Sequence, residues 1–264
     1  MNPRLSLVLA VLILVGGLIA LWLNDSAATT PVPVGSLASE PPAEEALPPP
    51  QDYVLAVSWH AAFCETKPGL KECGAQEGGD YTATHFALHG LWPQDDEYCG
   101  VGQEVIDIDE ANRWDELPPI DVRDATWRDL IRLMPGTTEQ LERHEWALHG
   151  SCAGVSAERY FSRAIGFTEE INRSAVRTIF SNNLGKRIAS TQIRSAIDAT
   201  FGAGAGRKVR INCEDDGSRE LVYELRINLY GDVMGRASLA DLIHDGRNIS
   251  VGCPGGIVDR VGSQ

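Results

Sequence analysis

The sequence predicts an α+β fold, with a mostly antiparallel central sheet, helices packed on it, and disulfides as staples. Strand-like segments open and close the folded part of the chain, and helical periodicity fills its middle. Six cysteines, an even number, all lie after an apolar leader, which is the pattern of an exported, disulfide-bonded protein.

Of the 264 residues, the first fifty do not read as globular. In residues 1–28 a single positive charge, Arg4, precedes an apolar run over residues 5–23, close to the roughly 20 residues that span a bilayer. Ser26, Ala27 and Ala28 suit signal peptidase, so the segment reads either as a cleaved signal peptide or as an N-terminal membrane anchor. Both readings place the remainder of the chain outside the cytoplasm, secreted or periplasmic. Residues 29–50 combine prolines and acidic residues with little that packs, as an extended linker does. Residues 51–264 are left for one domain with a single core.

Within that domain, "DYVLAVSWH" (52–60) and "YTATHFALH" (81–89) are rich in β-branched and aromatic residues and read as strands. Helices are expected over 122–135, closed by Pro135, and over 137–150, closed by Gly150. Three further helical segments cover 156–167, 168–183 and 190–202. The strand pattern then returns. Val209, Ile211 and Cys213 alternate with polar residues, and Leu221, Tyr223, Leu225, Ile227 and Leu229 fall on one face of a second strand. Between helices and strands, "FGAGAGRK" lacks the ending of a phosphate-binding loop and precedes a strand, so it reads as a connector.

A formal net charge of −14 excludes proteins that hold polyanions by bulk electrostatics; any recognition of nucleic acid has to be local. No basic stripe marks a dedicated RNA-binding module. No cysteine pair has the close spacing of a zinc knuckle, so the cysteines read as three bridges, each worth on the order of 2–4 kcal/mol.

Chemistry concentrates in two segments, "FALHGLWPQ" (86–94) and "HEWALHGSC" (144–152). The second misses the zinc-protease pattern by one residue: at roughly 100° per residue, His144 and His149 lie about 140° apart on a helix and do not share an ion. The spacing instead aligns Glu145 with His149, so that the carboxylate can orient that imidazole. His85 and His89, four apart in an expected strand, point to one face. His89 differs in being followed by Gly90, Trp92 and Pro93. His60 reads as structural and His244 as a solvated loop residue. No metal site and no cofactor are expected. A strand histidine and a helical His-Glu-x-x-x-His suit paired acid-base catalysis, in which each imidazole contributes roughly 10²–10⁴-fold.

With these two segments in hand, the chain resembles the ribonuclease T2 family of exported acid ribonucleases. "FALHGLWP" is similar to the family's first active-site segment and "HEWALHGSC" to its second, and the likeness extends over about residues 52–253. The resemblance implies that His149 is the general base on the ribose 2′-hydroxyl, His89 the general acid on the leaving oxygen, His144 a phosphate-binding residue and Glu145 a stabiliser of the transition state. It also implies Trp92 and Gln94 as substrate-binding positions, and bridges joining Cys64 to Cys73, Cys99 to Cys152 and Cys213 to Cys253. The expected partner is RNA, not DNA, with no obligatory protein partner and a monomeric state. Two departures stand out. Leu148 occupies a place where the family usually has a lysine, with Arg143 and Arg159 nearby in sequence, and Gln94 replaces an acidic residue of some members. Leu148 also motivates a competing expectation: a ribonuclease-like fold that has lost efficient catalysis and serves as a binding module.

Overall fold

The structure, a computed structural model, describes residues 45–262. The apolar run over residues 5–23, most of the linker and the choice between signal and anchor therefore lie outside the described residues. Among the described residues no helix is long and apolar enough to cross a membrane.

Six strands form one sheet: β1 (Gln51–Ser58), β2 (Ala87–Pro93), β3 (Arg187–Ala189), β4 (Val209–Asp215), β5 (Glu220–Gly231) and β6 (Gly255–Ile257). The order is β2-β1-β5-β6-β3, with β4 also paired to β5. All pairings are antiparallel except β5 with β6. The helices are α1 (His60–Thr66), α2 (Lys71–Gly74), α3 (Gln103–Glu110), α4 (Asp124–Leu133), α5 (Leu141–Leu148), α6 (Ala157–Asn172), α7 (Ala175–Ser181), α8 (Ser190–Phe201) and α9 (Leu239–Asp245). The chain is thus an α+β fold with a mostly antiparallel sheet, as its patterning predicts.

One face of the sheet builds the core. Tyr53, Leu55 and Val57 of β1, with Leu225, Ile227 and Leu229 of β5, are sealed from solvent. Against them pack Tyr160, Phe161, Phe167 and Ile171 of α6 and a cluster in which Trp59, Phe86 and Phe180 meet at ring distances of 4.7–5.3 Å. Burying an aromatic of this size removes about 150–250 Å² from water, so this cluster anchors α7 and the start of β2 to the sheet. Three disulfides join Cys64 to Cys73, Cys99 to Cys152 and Cys213 to Cys253. The middle one ties the loop after β2 to the turn after α5.

Several local readings change. Residues 81–83 are a 3-10 turn, and β2 begins only at Ala87. His85 is therefore outside the strand, stacked on Tyr81 at 4.0 Å, and shares no face with His89. His60 opens α1 and lies outside β1. The break expected after Phe167 falls at Ser174, because α6 runs through Gly166 to Asn172 and Ser174 caps the next helix. α5 is shorter than the expected 137–150; a separate 3-10 turn over Pro135–Glu139 precedes it, and Gln140 between them takes a left-handed backbone.

Candidate active site

β2 delivers the first histidine through a bulge. Its register on β1 runs Val54 to Trp92, Leu55 to Leu91 and Ala56 to Gly90, then jumps from Val57 to Leu88. Strict alternation would send residue 89 to the core side with Leu91. The extra residue breaks that alternation, so Leu88 is buried in the core while His89 joins Gly90 and Trp92 on the opposite face.

That opposite face is covered by α5, which supplies the second group of residues. Gly90 makes the approach possible: a Cβ there would collide with Glu145 Oε2 and with Trp92 Nε1. In the space left by the missing side chain, Trp92 Nε1 donates to Glu145 Oε2 at 2.7 Å, and Glu145 Oε1 lies 3.8 Å from His89 Nε2. Gly90→Ala is expected to destabilise the fold by about 1–3 kcal/mol through overpacking. It should also break the Trp92–Glu145 bond, and thermal melting with tryptophan fluorescence tests both effects.

β5 closes the site from the other side. Glu224, 1 % exposed, accepts from His89 Nδ1 at 2.7 Å, from Asn212 Nδ2 at 2.8 Å and from Arg226 Nε at 2.6 Å. His144 on α5 donates Nδ1 to Asp109 at 2.8 Å and stacks on Trp114 at 4.5 Å. Asp109 is also held by the Tyr98 hydroxyl at 2.7 Å. His149 comes directly after the last residue of α5, and its ring lies 5.4 Å from that of Trp92, which also meets His89 at 5.2 Å. The two imidazoles flank one indole. His149 Nδ1 is buried and has no hydrogen-bond partner among the described residues.

The environments push the two imidazoles apart. Burial, with the neighbouring charges of His144 and His89, pulls His149 from its ordinary 6.5 down to about 4. Burial also opposes the charged form of His89, but the hydrogen bond to Glu224 and the charges of Glu145 and Glu224 outweigh it and hold His89 above its ordinary value. Glu145 is itself raised, by burial first, against the pull of His89 and His144. Such a divided pair is the arrangement that lets one group accept a proton while the other gives one.

Beside His89 a cavity of about 250 Å³ is lined by Phe63, Leu70, Trp114 and Leu141, with His60 and Glu72 also in its wall. Among the described residues His60, Cys64 and Cys73 form a cluster of metal-type ligands, but the two sulfurs are spent on each other.

Residues 51–239 match the ribonuclease T2 family. The chain belongs to that family. It is 25 % identical to ribonuclease I of Escherichia coli over 69 % of this chain and 76 % of that one. With human ribonuclease T2 it shares 30 % identity over 47 % of its own length and 44 % of the human protein. Among solved structures, a ribonuclease MC1 variant in complex with 5′-GMP aligns with a TM-score of 0.50 at 17 % identity, covering 71 % of this chain and 91 % of that one. That last likeness speaks for the fold.

The T2 architecture thus brings His89, Trp92, His144, Glu145 and His149 together. Gln94 stays at the rim, exposed, with its amide turned back to the Trp92 carbonyl at 3.0 Å. Glu145 does not orient His149, as the helical spacing suggests; its carboxylate turns to Trp92 and His89, because α5 ends before residue 149. Neither arginine near the motif serves the site. Arg143 is bound to the carbonyls of Asp115 and Leu117, and Arg159 to Glu45 and the Met234 carbonyl. Asp109, Trp114, Glu224 and Arg226 were not singled out by sequence pattern. Glu224 and Arg226 fall between the apolar positions of β5, a placement that by itself reads as a solvated strand face.

Proposed function

We propose that the chain is an exported, metal-independent endoribonuclease that cleaves single-stranded RNA by transphosphorylation to 2′,3′-cyclic phosphates. The observation that carries this reading is the pair of imidazoles on one indole, His89 set against the carboxylates of Glu224 and Glu145 and His149 with its Nδ1 unpartnered among the described residues. His149 takes the proton of a ribose 2′-hydroxyl. The freed oxygen bonds to the adjacent phosphorus while the bond from phosphorus to the 5′-oxygen breaks, and His89 gives its proton to that departing oxygen. His144, steadied by Asp109 and Trp114, binds the phosphate, and Glu145 accompanies the proton on His89. DNA lacks the attacking hydroxyl and is not cleaved.

The cavity beside His89 supports low base specificity. Its walls are mainly apolar and aromatic, which favours stacking on any base over reading of base edges. The expected result is cleavage of RNA, not DNA, in EDTA, with cyclic-phosphate ends detected by mass spectrometry. Failure of the folded, disulfide-bonded chain to cleave between acidic and neutral pH, with RNA binding retained, would support the binding-module reading instead.

A further inference from the structure

We infer that Arg226 is the cation that this site presents to the reacting phosphoryl group, supplied from the sheet where Leu148 on α5 offers no charge. The inference rests on the ribonuclease reading. As the 2′-oxygen adds to phosphorus, negative charge accumulates on the non-bridging oxygens. They would meet a site already holding the carboxylates of Glu145, Glu224 and Asp109 in a chain of net charge −14. A permanently charged donor suits that task, because a guanidinium keeps its charge whatever protons move between the imidazoles.

Arg226 is placed for that task. On β5 it pairs with Ala56 of β1, and Ala56 pairs in turn with Gly90 of β2. Two of the smallest side chains therefore floor the space between the arginine and the Glu145–Trp92 pair, and strands about 4.8 Å apart put that floor within reach of a long guanidinium. Its Cζ lies 4.9 Å from the centre of the Trp92 ring, on the same indole that both imidazoles flank. Its Nε is fixed to Glu224 Oε2, whose other oxygen holds His89. Among the described residues neither Nη of Arg226 has a hydrogen-bond partner, and the side chain is 41 % exposed, so one edge of the guanidinium is clamped and the other is open. Its charge already acts on His89, weakening the hold on the proton that the acid must give up. Other arginines near the site are engaged: Arg210, opposite on β4, is bound to Asn212 and Ser250.

The test uses the full chain, its Arg226→Gln variant and the double variant Arg226→Gln with Leu148→Lys, each with the dinucleotide UpA as substrate. Arg226→Gln is expected to lower kcat by about 10²–10³-fold with a smaller change in KM. Leu148→Lys is expected to restore activity in the arginine-less chain, since a lysine from α5 returns the charge but cannot rebuild the clamp on Glu224. The alkaline limb of the rate should move to higher pH in Arg226→Gln, because a positive charge beside His89 is gone. Unchanged kcat would overturn the inference, and so would an alkaline limb moved to lower pH, the mark of a residue that merely props Glu224. If the parent chain does not cleave UpA, the ribonuclease reading falls separately. Calorimetric binding of inorganic phosphate then decides for Arg226, with weaker binding by Arg226→Gln upholding it and equal binding overturning it.

Discussion

Cleavage of RNA by the His149→Ala chain is expected to fall by roughly 10²–10⁴-fold, the usual worth of a general base. No neighbour can take its place. Glu224 and Glu145 favour the protonated form of His89, and His144 spends its Nδ1 on Asp109. The fold should tolerate the change, since His149 Nδ1 has no partner among the described residues to leave unpaired. A melting temperature near that of the parent, measured with the rates, separates lost chemistry from lost structure. The pH profile gives a second readout. In the parent the rate rises through about pH 4 as His149 becomes neutral, and it declines above 6.5, where His89 finally loses its proton. The acid limb near pH 4 should vanish from whatever activity the variant retains. A parent-like rate, or an acid limb that stays, would remove His149 from the role of base.

How much of this site the sequence discloses depends on whether the information is local. His89, Trp92, His144, Glu145 and His149 lie in two short segments whose residue types state their chemistry, and alternation along 225–229 identifies the core face of β5; before it the register on β4 shifts, so that Val222 is sealed in the core and Tyr223 only half-buried. What alternation does not say is what covers the other face. Glu224 and Arg226 read as an ordinary solvated phase until α5 and β2 close over them, and only then does a glutamate 1 % exposed become the partner of a histidine 135 residues away. The bulge at His89 was hidden for a similar reason: a one-residue insertion is defined by the register of β1 opposite, not by β2 itself. β3 and β6, three residues each, have too little pattern to read; they exist because β3 pairs with β6 and β6 in turn with β5. Gly166 sits in α6 where a helix break was expected, because the buried face formed by Tyr160, Ala164, Phe167 and Ile171 continues across it and outweighs a glycine cost of about 1 kcal/mol.

Glu224→Gln should abolish most activity at neutral pH while leaving an acid-shifted remnant. The substitution preserves shape and removes charge, and the geometry makes the charge indispensable. Three donors, from His89, Asn212 and Arg226, converge on the two carboxylate oxygens. An amide offers one oxygen, so its nitrogen must confront at least one of those donors, at a cost of about 1–3 kcal/mol for the buried group left unpaired. For His89, burial would then act with less opposition and its proton affinity would drop. The alkaline limb moves to lower pH, and above it each unit of movement costs about tenfold in rate. Stability carries the same signature. Burial disfavours the Glu224 anion, but the hydrogen bond and charge of His89 prevail and hold its carboxyl below the ordinary 4.5, so its contribution is complete above that value and is lost as the pH falls. Raised His89 contributes fully below its ordinary 6.5, and that contribution is lost as the pH rises. The two windows overlap between about 4.5 and 6.5, and there the melting temperature of the parent should exceed that of the glutamine variant by the most. A variant with the parental alkaline limb would mean that His89 owes its proton to Glu145 alone.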